Sequence, residues 1–430
     1  MSRSPGIVHV TPEMAPYAST GGLAQVVGSL PPRLARSGCP VTVILPRYGA
    51  VDPARLRPLD VELEIPVGAA RHAARVLCDP RRDDVRVLFL DVPTLYDRPR
   101  LYGERGRDYR DNAARFIALC RGALATIRAL ELPRDILHVH DWQTALIPVL
   151  VAAELDDDPF WRDTRTVLTI HNLAYQGRFW HLDMPLTGLP WALYTPRCLE
   201  YWNQINFLKG GIVTADAITT VSPRYAEEIL QPEYGFGLEG VLRDRRDDLF
   251  GILNGIDRDA WDPATDPCLP ARYSAERIQG KGRCKRAVLR ELELDDELSR
   301  PLFGMVSRLV EQKGVDLVLK AIPAVMKRQD VALAVLGTGE PRLETALEAA
   351  ASRWPGRVAA RIDFDEGLSR RIFAGSDFAL VPSRFEPCGL AQMYAMRYGS
   401  IPVATPVGGL ADTVVDADEH PDSGNGLVIP

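Results

Sequence analysis

Apolar residues in this chain gather in short runs broken at most by one or two polar residues, at positions 7–10, 41–45, 85–90, 136–139, 167–170 and 217–221, and again at 302–306, 331–336, 378–381 and 401–404. Runs of this length, rich in Val, Ile and Leu, suit central strands of a parallel sheet covered on both faces. Between them the spacing becomes helical. Over 112–130, Ala113, Phe116, Ile117, Cys120, Ala123 and Leu124 fall on one stripe, and 315–325 and 343–350 behave alike. Strand–helix alternation along the whole length predicts open, doubly wound α/β sheets. So many strands exceed one ordinary sheet, and the chain is expected to divide after Ile252-Leu253-Asn254-Gly255-Ile256-Asp257. The stretch 262–272 that follows is rich in Asp and Pro and lacks periodicity, as a connector should. A basic stretch, 281–290, then opens a helix. The expected domains are 1–255 and 256–430. Such sheets bind ligands beyond the carboxyl ends of their strands, which predicts a cleft between the two.

Composition removes several classes of function. Apolar residues make up 46% and charged residues 25% of the 430, which excludes a disordered or fibrous chain. The net charge of −6 does not attract nucleic acid or anionic lipid, so neither is expected as a partner. No run approaches the ~20 apolar residues that cross a bilayer. The opening Met1-Ser2-Arg3-Ser4-Pro5-Gly6 and the short apolar run after it do not make a signal-peptide core, so a cytoplasmic protein is expected. Seven cysteines are scattered singly without a CxxC pair, which suggests neither a disulfide framework nor a zinc knuckle.

Chemistry-bearing residues gather at predicted strand ends. Ser19-Thr20-Gly21-Gly22-Leu23 follows the first strand. Two glycines opening a helix let a backbone approach a phosphate, although ordinary βα turns also favour glycine. His138-Val139-His140-Asp141-Trp142 closes another strand. His138 and His140 share a strand face, but no third metal ligand is spaced nearby, so no metal is expected. Asp141 reads as a helix N-cap, and Trp142 can stack on a sugar ring. His171-Asn172-Leu173-Ala174-Tyr175-Gln176-Gly177 follows the strand at 167–170, where a site and a structural histidine are both open readings. In Ser307-Arg308-Leu309-Val310-Glu311-Gln312-Lys313-Gly314, the two cations are five apart and off any shared helix face. They belong to a loop that, with the following helix N-terminus, suits a diphosphate. Pro382-Ser383-Arg384-Phe385-Glu386-Pro387-Cys388-Gly389-Leu390 places a carboxylate beside the start of a helix at 390–398. Glu386 can accept from ligand hydroxyls there, while the N–H groups of Gly389 and Leu390 face a phosphate. Cys388 lacks a histidine partner and reads as a packing residue. A second diglycine turn, Gly408-Gly409, follows.

Together, HNLAYQG, SRFEPCGL and GGLADTV, with the first diglycine motif and the Arg308–Lys313 loop in the same order, resemble the bacterial glycogen synthase and starch synthase family. The resemblance implies the GT-B fold, two Rossmann-like domains facing across a cleft, and retaining transfer of glucose from ADP-glucose to an α-1,4-glucan such as glycogen. It implies catalytic roles for His171, Arg308, Lys313 and Glu386. Substrate-binding roles would fall to Ser19, Gly21, Gly22, Tyr102, Asp141, Trp142, Asn172, Asn254, Phe364, Cys388, Gly389, Leu390, Gly408 and Gly409. Phe364 would stack on adenine. Arg308 and Lys313 would neutralise the leaving diphosphate, so no cofactor or metal is expected. Retention through a covalent intermediate needs two close carboxylates; these motifs offer none, so front-face transfer is implied. Two positions depart from the family: Ser19 stands where relatives carry Lys, and Gln25 where they carry Asp. These departures keep open another donor such as UDP-glucose, or a glucan- or nucleotide-sugar-binding paralogue. The sequence stops at Pro430, before the crossover helices expected at the end of this fold, so a truncated second domain is expected.

Overall fold

In the computed structural model, residues 4–104 and 106–429 are described; the Met1-Ser2-Arg3 opening and the closing Pro430 read above lie outside them. The chain forms two units, Met1–Val221 with Ala226–Ile252, and Ser222–Tyr225 with Leu253–Pro430. Among the described residues, no helix is long and apolar enough to cross a membrane.

The first unit is built on a nine-stranded sheet, ordered Leu249–Gly251, Ala217–Thr220, Arg165–Ile170, Ile136–His140, Ile7–Val10, Val41–Pro46, Arg86–Asp91, Ala70–Cys78 and Arg57–Val67. Its apolar runs lie where the continuous pattern places them, in the centre, with every residue of Ile7–Val10 and Val41–Pro46 buried. Helix Asn112–Ala129 buries the predicted stripe, including Ala113, Phe116, Ile117, Cys120, Ala123 and Leu124. The doubly wound expectation omits the last two strands, which pair antiparallel as a hairpin turning at Gly68, where φ is +57°. Residues 57–67 alternate instead of running apolar, and only Ile65 and Val67 in that strand are buried. An edge strand with one wet face needs no more.

The second unit carries a six-stranded parallel sheet, ordered Val358–Ile362, Ala332–Gly337, Leu302–Val306, Phe378–Val381, Ile401–Ala404 and Leu427–Val428. The segment 262–272 holds neither helix nor strand, and helix Gln279–Glu291 follows it. The helix expected at 390–398 is Ala391–Arg397. The charged stretch at 243–248 is mostly helical, split between Glu239–Asp244 and the short turn Arg246–Asp248.

Register does more than pattern to place chemistry. In the first sheet Ile7 pairs with Ile136, which sets His9 beside His138, and His140 pairs with Thr169. Three strand ends thus deliver histidine or its neighbours to one patch.

Candidate active site

In the first unit, the strand Ile7–Val10 runs into a loop held by Glu13. Its carboxylate accepts from Thr20 N at 2.5 Å, Thr20 Oγ1 at 2.6 Å and Tyr102 Oη at 2.6 Å. A buried carboxylate with three donors is satisfied, and it ties the diglycine turn to Tyr102 from 89 residues away. The turn is open: Gly21 has φ −177°, and a Cβ there would meet nothing within 4 Å. Ser19 is half-buried beside it, and Gly22 starts helix Gly22–Arg36. Glu13 was not singled out from sequence. Its only signal was a carboxylate between a strand end and a glycine turn.

Asp141 does not cap the helix that follows it, contrary to the sequence reading. That helix, Leu146–Leu150, starts from Ala145. The Asp141 carboxylate instead accepts from the backbone N–H of His171 at 2.7 Å and of Asn172 at 3.4 Å, stitching two strand ends together. Its φ of +55° is uncommon for a non-glycine residue, although Asp is among the residues that adopt it most readily. Burial pushes its carboxyl up to about 7, while the two N–H donors pull down. Asn172 turns its own Oδ1 onto Ala174 N at 3.0 Å. Trp142 packs edge-on against Phe116, with ring centroids 4.9 Å apart, and lies 5.6 Å from Phe179. A Cβ on Gly177, where φ is +63°, would come within 2.4 Å of the Trp142 ring, so that glycine is required by packing.

A further correction concerns the histidines. Sequence spacing offered no third ligand beside His138 and His140, but the adjacent strand supplies His9, and one ring nitrogen from each of the three lies within 4.8 Å of the other two. At least one nitrogen of each ring is engaged with a neighbour. His9 Nδ1 meets His140 Nε2 at 3.0 Å, His140 Nδ1 meets His171 Nε2 at 3.1 Å, and His138 Nε2 meets Thr169 Oγ1 at 2.6 Å. Burial holds His138 down at about 4 and His171 at about 3, and lowers His9 and His140 strongly.

These shifts carry a stability prediction. Below their ordinary 6.5, the unfolded chain protonates all four imidazoles while the folded chain leaves them neutral, so stability falls as pH drops from 6.5 toward 4. Asp141 works the other way, since the folded chain keeps its proton up to about 7 and the unfolded chain loses it near 3.8. Four protons less one give a net uptake of about three on unfolding near pH 5 from these groups. Urea unfolding between pH 5 and 7 should show that slope, steeper in Asp141→Asn, where the opposing carboxyl is gone. A flat profile would remove the neutral histidine cluster.

In the second unit, two loops fold onto each other. Strand Leu302–Val306 leads through Arg308 to the turn Glu311–Lys313 and helix Val315–Arg328. Strand Phe378–Val381 leads to the loop carrying Glu386. The Lys313 ammonium pairs with Glu386 Oε2, and Ser383 Oγ donates to the same oxygen at 2.9 Å. Arg384 N donates to the Gln312 carbonyl at 2.8 Å, and Gln312 Nε2 donates to the Phe385 carbonyl at 3.2 Å. The exposed Arg308 reaches Gln312 Oε1 at 3.4 Å. Arg384 is spent elsewhere, forked onto Asp316 at 2.7 and 2.8 Å. Ser383 and Gln312 complete the cluster and were not selected from sequence; Ser383 sits inside the strongest motif.

The second diglycine turn closes over this loop. Gly409 N donates to the Glu386 carbonyl at 3.0 Å, and a Cβ on Gly409 would lie 2.1 Å from the Cys388 carbonyl. Gly408 and Gly389 have φ of +45° and +71°, and Leu390 caps helix Ala391–Arg397. Asn254 nearby favours the Cys388 thiolate, yet burial dominates and pushes that thiol up to about 12. A protonated, buried thiol is no nucleophile, in keeping with its reading as a packing residue. Phe364 is 72% exposed after strand Val358–Ile362, an open face for stacking.

The arrangement in the second unit holds a carboxylate against a cation and a hydroxyl, with a second cation and a helix N-terminus alongside. It is suited to stabilising an anionic leaving group.

A family model described as starch synthase catalytic domain matches residues 6–244, and one described as glycosyl transferases group 1 matches residues 300–430. A glycogen synthase of Anaeromyxobacter dehalogenans (strain 2CP-C) is 50% identical over 415 residues, covering 96% of this chain and 86% of the relative. That of Opitutus terrae is 46% identical over 425 residues, covering 98% and 88%. Among solved structures, the catalytic domain of starch synthase IV from Arabidopsis thaliana, bound to ADP and acarbose, matches with a TM-score of 0.90 at 35% identity, over 99% of this chain and 88% of that one. The expected GT-B architecture, two α/β units with largely parallel sheets, is borne out. The chain belongs to the glycogen synthase and starch synthase family.

Proposed function

We propose that the chain extends an α-1,4-glucan, moving glucose from ADP-glucose to the non-reducing end with retention of configuration. The observation that carries this reading is the Lys313–Glu386–Ser383 cluster at the foot of helix Val315–Arg328, with Arg308 hydrogen-bonded to the same loop. Relatives named glycogen synthase, and a starch synthase bound to ADP and acarbose, support it.

In this reading, Arg308 and Lys313 take the diphosphate charge as it leaves, and Glu386 holds glucose by its hydroxyls. His171 and Asn254 lie against the transferred glucose, Phe364 stacks on the base, and Tyr102, Asp141 and Trp142 serve the acceptor. Residues 1–255 act on the acceptor side and 256–430 on the nucleotide-sugar side. Lys313 and Ser383 hold one oxygen of Glu386, and the motifs offer no second carboxylate to serve a covalent route beside it. Transfer therefore runs on the front face: the departing phosphate oxygen accepts the acceptor's O4 proton as the new bond forms at the anomeric carbon. Catalysis rests on positioning and charge stabilisation.

The deciding assay supplies glycogen with radiolabelled ADP-glucose or UDP-glucose and measures label in polymer. Incorporation from ADP-glucose is expected. Preference for UDP-glucose would trace to Ser19 and overturn the donor assignment, and glycogen binding without incorporation from either donor would overturn the enzyme.

The open first turn gives a second check. Gly21→Ala meets no atom within 4 Å, so stability should change by less than about 0.5 kcal/mol. If the donor approaches that backbone, KM for ADP-glucose should rise about tenfold, the equivalent of ~1.4 kcal/mol. An unchanged KM would remove Gly21 from the binding site.

A further inference from the structure

The proposed reaction uses His171 and leaves His9 and His140 without a task, although both are buried at 0% and 1% exposure. They form a chain of imidazoles. His9 Nδ1 faces His140 Nε2 at 3.0 Å, and His140 Nδ1 faces His171 Nε2 at 3.1 Å. At one end, His9 Nε2 is buried with no hydrogen-bond partner among the described residues. At the other, the Nδ1 of His171 makes no hydrogen bond among them.

A neutral imidazole carries one N–H and one lone pair, so this chain has only two proton registers. In the first, His9 Nδ1–H donates to His140 Nε2, and His140 Nδ1–H donates to His171 Nε2. The His171 proton then sits on Nδ1, and His9 Nε2 is a bare lone pair. In the second, every bond reverses. His171 holds its proton on Nε2, and the N–H of His9 is forced onto Nε2, a buried donor with nothing to accept it. Orphaned buried N–H groups are rarer than under-used acceptors. The first register is therefore favoured.

We propose that His9 and His140 are positioning residues that fix His171 as the Nδ1–H tautomer, presenting a hydrogen-bond donor to an oxygen of the bound sugar. The sugar as recipient rests on the proposed glucosyl transfer; the tautomer does not. A free neutral imidazole favours Nε2–H, so the chain imposes the less common form. The relay also explains why the strand register that sets His9 beside His138 has a bearing on a residue two strands away.

Long-range ¹H–¹⁵N correlation on the full chain labelled with ¹⁵N-histidine reads the tautomer without any sugar present. His171→Gln identifies the resonance. The expected result is Nδ1–H at His171 in the unaltered chain, and a shift toward Nε2–H in His9→Phe and His140→Phe. His9→Asn, whose amide N–H takes the place of Nδ1, should restore Nδ1–H together with most of the turnover lost in His9→Phe. Nε2–H or a mixture in the unaltered chain would overturn the proposal, and that spectrum decides even if a phenylalanine variant does not fold. Nδ1–H persisting in both phenylalanine variants would overturn it equally. A chain that shows Nδ1–H yet transfers no glucose would leave the tautomer assignment standing and remove the proposed reaction.

Discussion

Lys313→Ala is expected to lower turnover by about 10²–10³ at saturating donor, the loss typical of one preorganised group aimed at developing charge. The ammonium is held where it is by Glu386, with side chains only 18% and 7% exposed, so it meets the leaving group already positioned and largely dehydrated. Its removal has a second consequence. A carboxylate that keeps only the Ser383 hydroxyl is stranded, and breaking one side of such a buried pair costs about 3–5 kcal/mol. Partial exposure of Lys313 puts this case at the lower end, near 3 kcal/mol, or a fall in Tm of about 6–12 °C. Lost activity and lost stability would then be confounded. Assaying Lys313→Ala well below its lowered Tm separates them, and Lys313→Met combined with Glu386→Gln checks the stability part, because it removes both charges together. Tm should recover in the double variant, while turnover in Lys313→Ala stays depressed at a temperature where that variant is fully folded. Turnover at the unaltered level in Lys313→Ala, measured by label incorporation into glycogen, would remove the ammonium from the reaction.

The parts of this molecule that could be read from sequence are those whose cause is local. The buried strands are visible because both faces must be apolar, and the loop nature of Arg308–Lys313 follows from a spacing no helix face accommodates. The SRFEPCGL segment stands out because a carboxylate, a proline and a glycine at a helix start have few bland uses. The remainder depends on contacts that the local pattern does not record. Glu13 and Tyr102 meet across 89 residues, and nothing near either one announces the other. His9 joins His138 and His140 only because Ile7 pairs with Ile136; in a sheet buried on both faces, apolar runs leave that register unmarked. Asp141 misled for a related reason. Its residue type suits an N-cap, but its left-handed backbone turns the carboxylate toward the neighbouring strand end instead. The edge hairpin was legible in principle, since 57–67 alternate in the two-residue period of a half-exposed strand.

Gly314→Ala should be the most damaging single-methyl change near the site. Gly314 lies at φ +70°, between the turn that ends at Lys313 and the helix Val315–Arg328. A non-glycine residue in that region costs roughly 1–2 kcal/mol by itself. The added Cβ would also lie 2.0 Å from the carbonyl oxygen of Pro382, a backbone atom at the root of the loop that carries Ser383 and Glu386. No rotamer can clear a backbone oxygen, so the two loops must separate, at a further cost of about 1–3 kcal/mol. Separation strikes where Arg384 N meets the Gln312 carbonyl and where Lys313 meets Glu386. Stability is therefore expected to fall by about 3 kcal/mol, with Tm lower by roughly 6–12 °C. Turnover should fall with it even at temperatures where the chain remains folded, because the ammonium no longer stands in register with the carboxylate. Gly21→Ala is the matched control, the same methyl on a glycine with extended backbone and open space. Calorimetry and label incorporation on the two variants should give opposite patterns: Gly314→Ala loses Tm and kcat together, whereas Gly21→Ala keeps Tm and moves only KM. A Gly314→Ala variant with unchanged Tm and kcat would show that the two loops do not need their close approach, and the preorganised cluster would lose its physical basis.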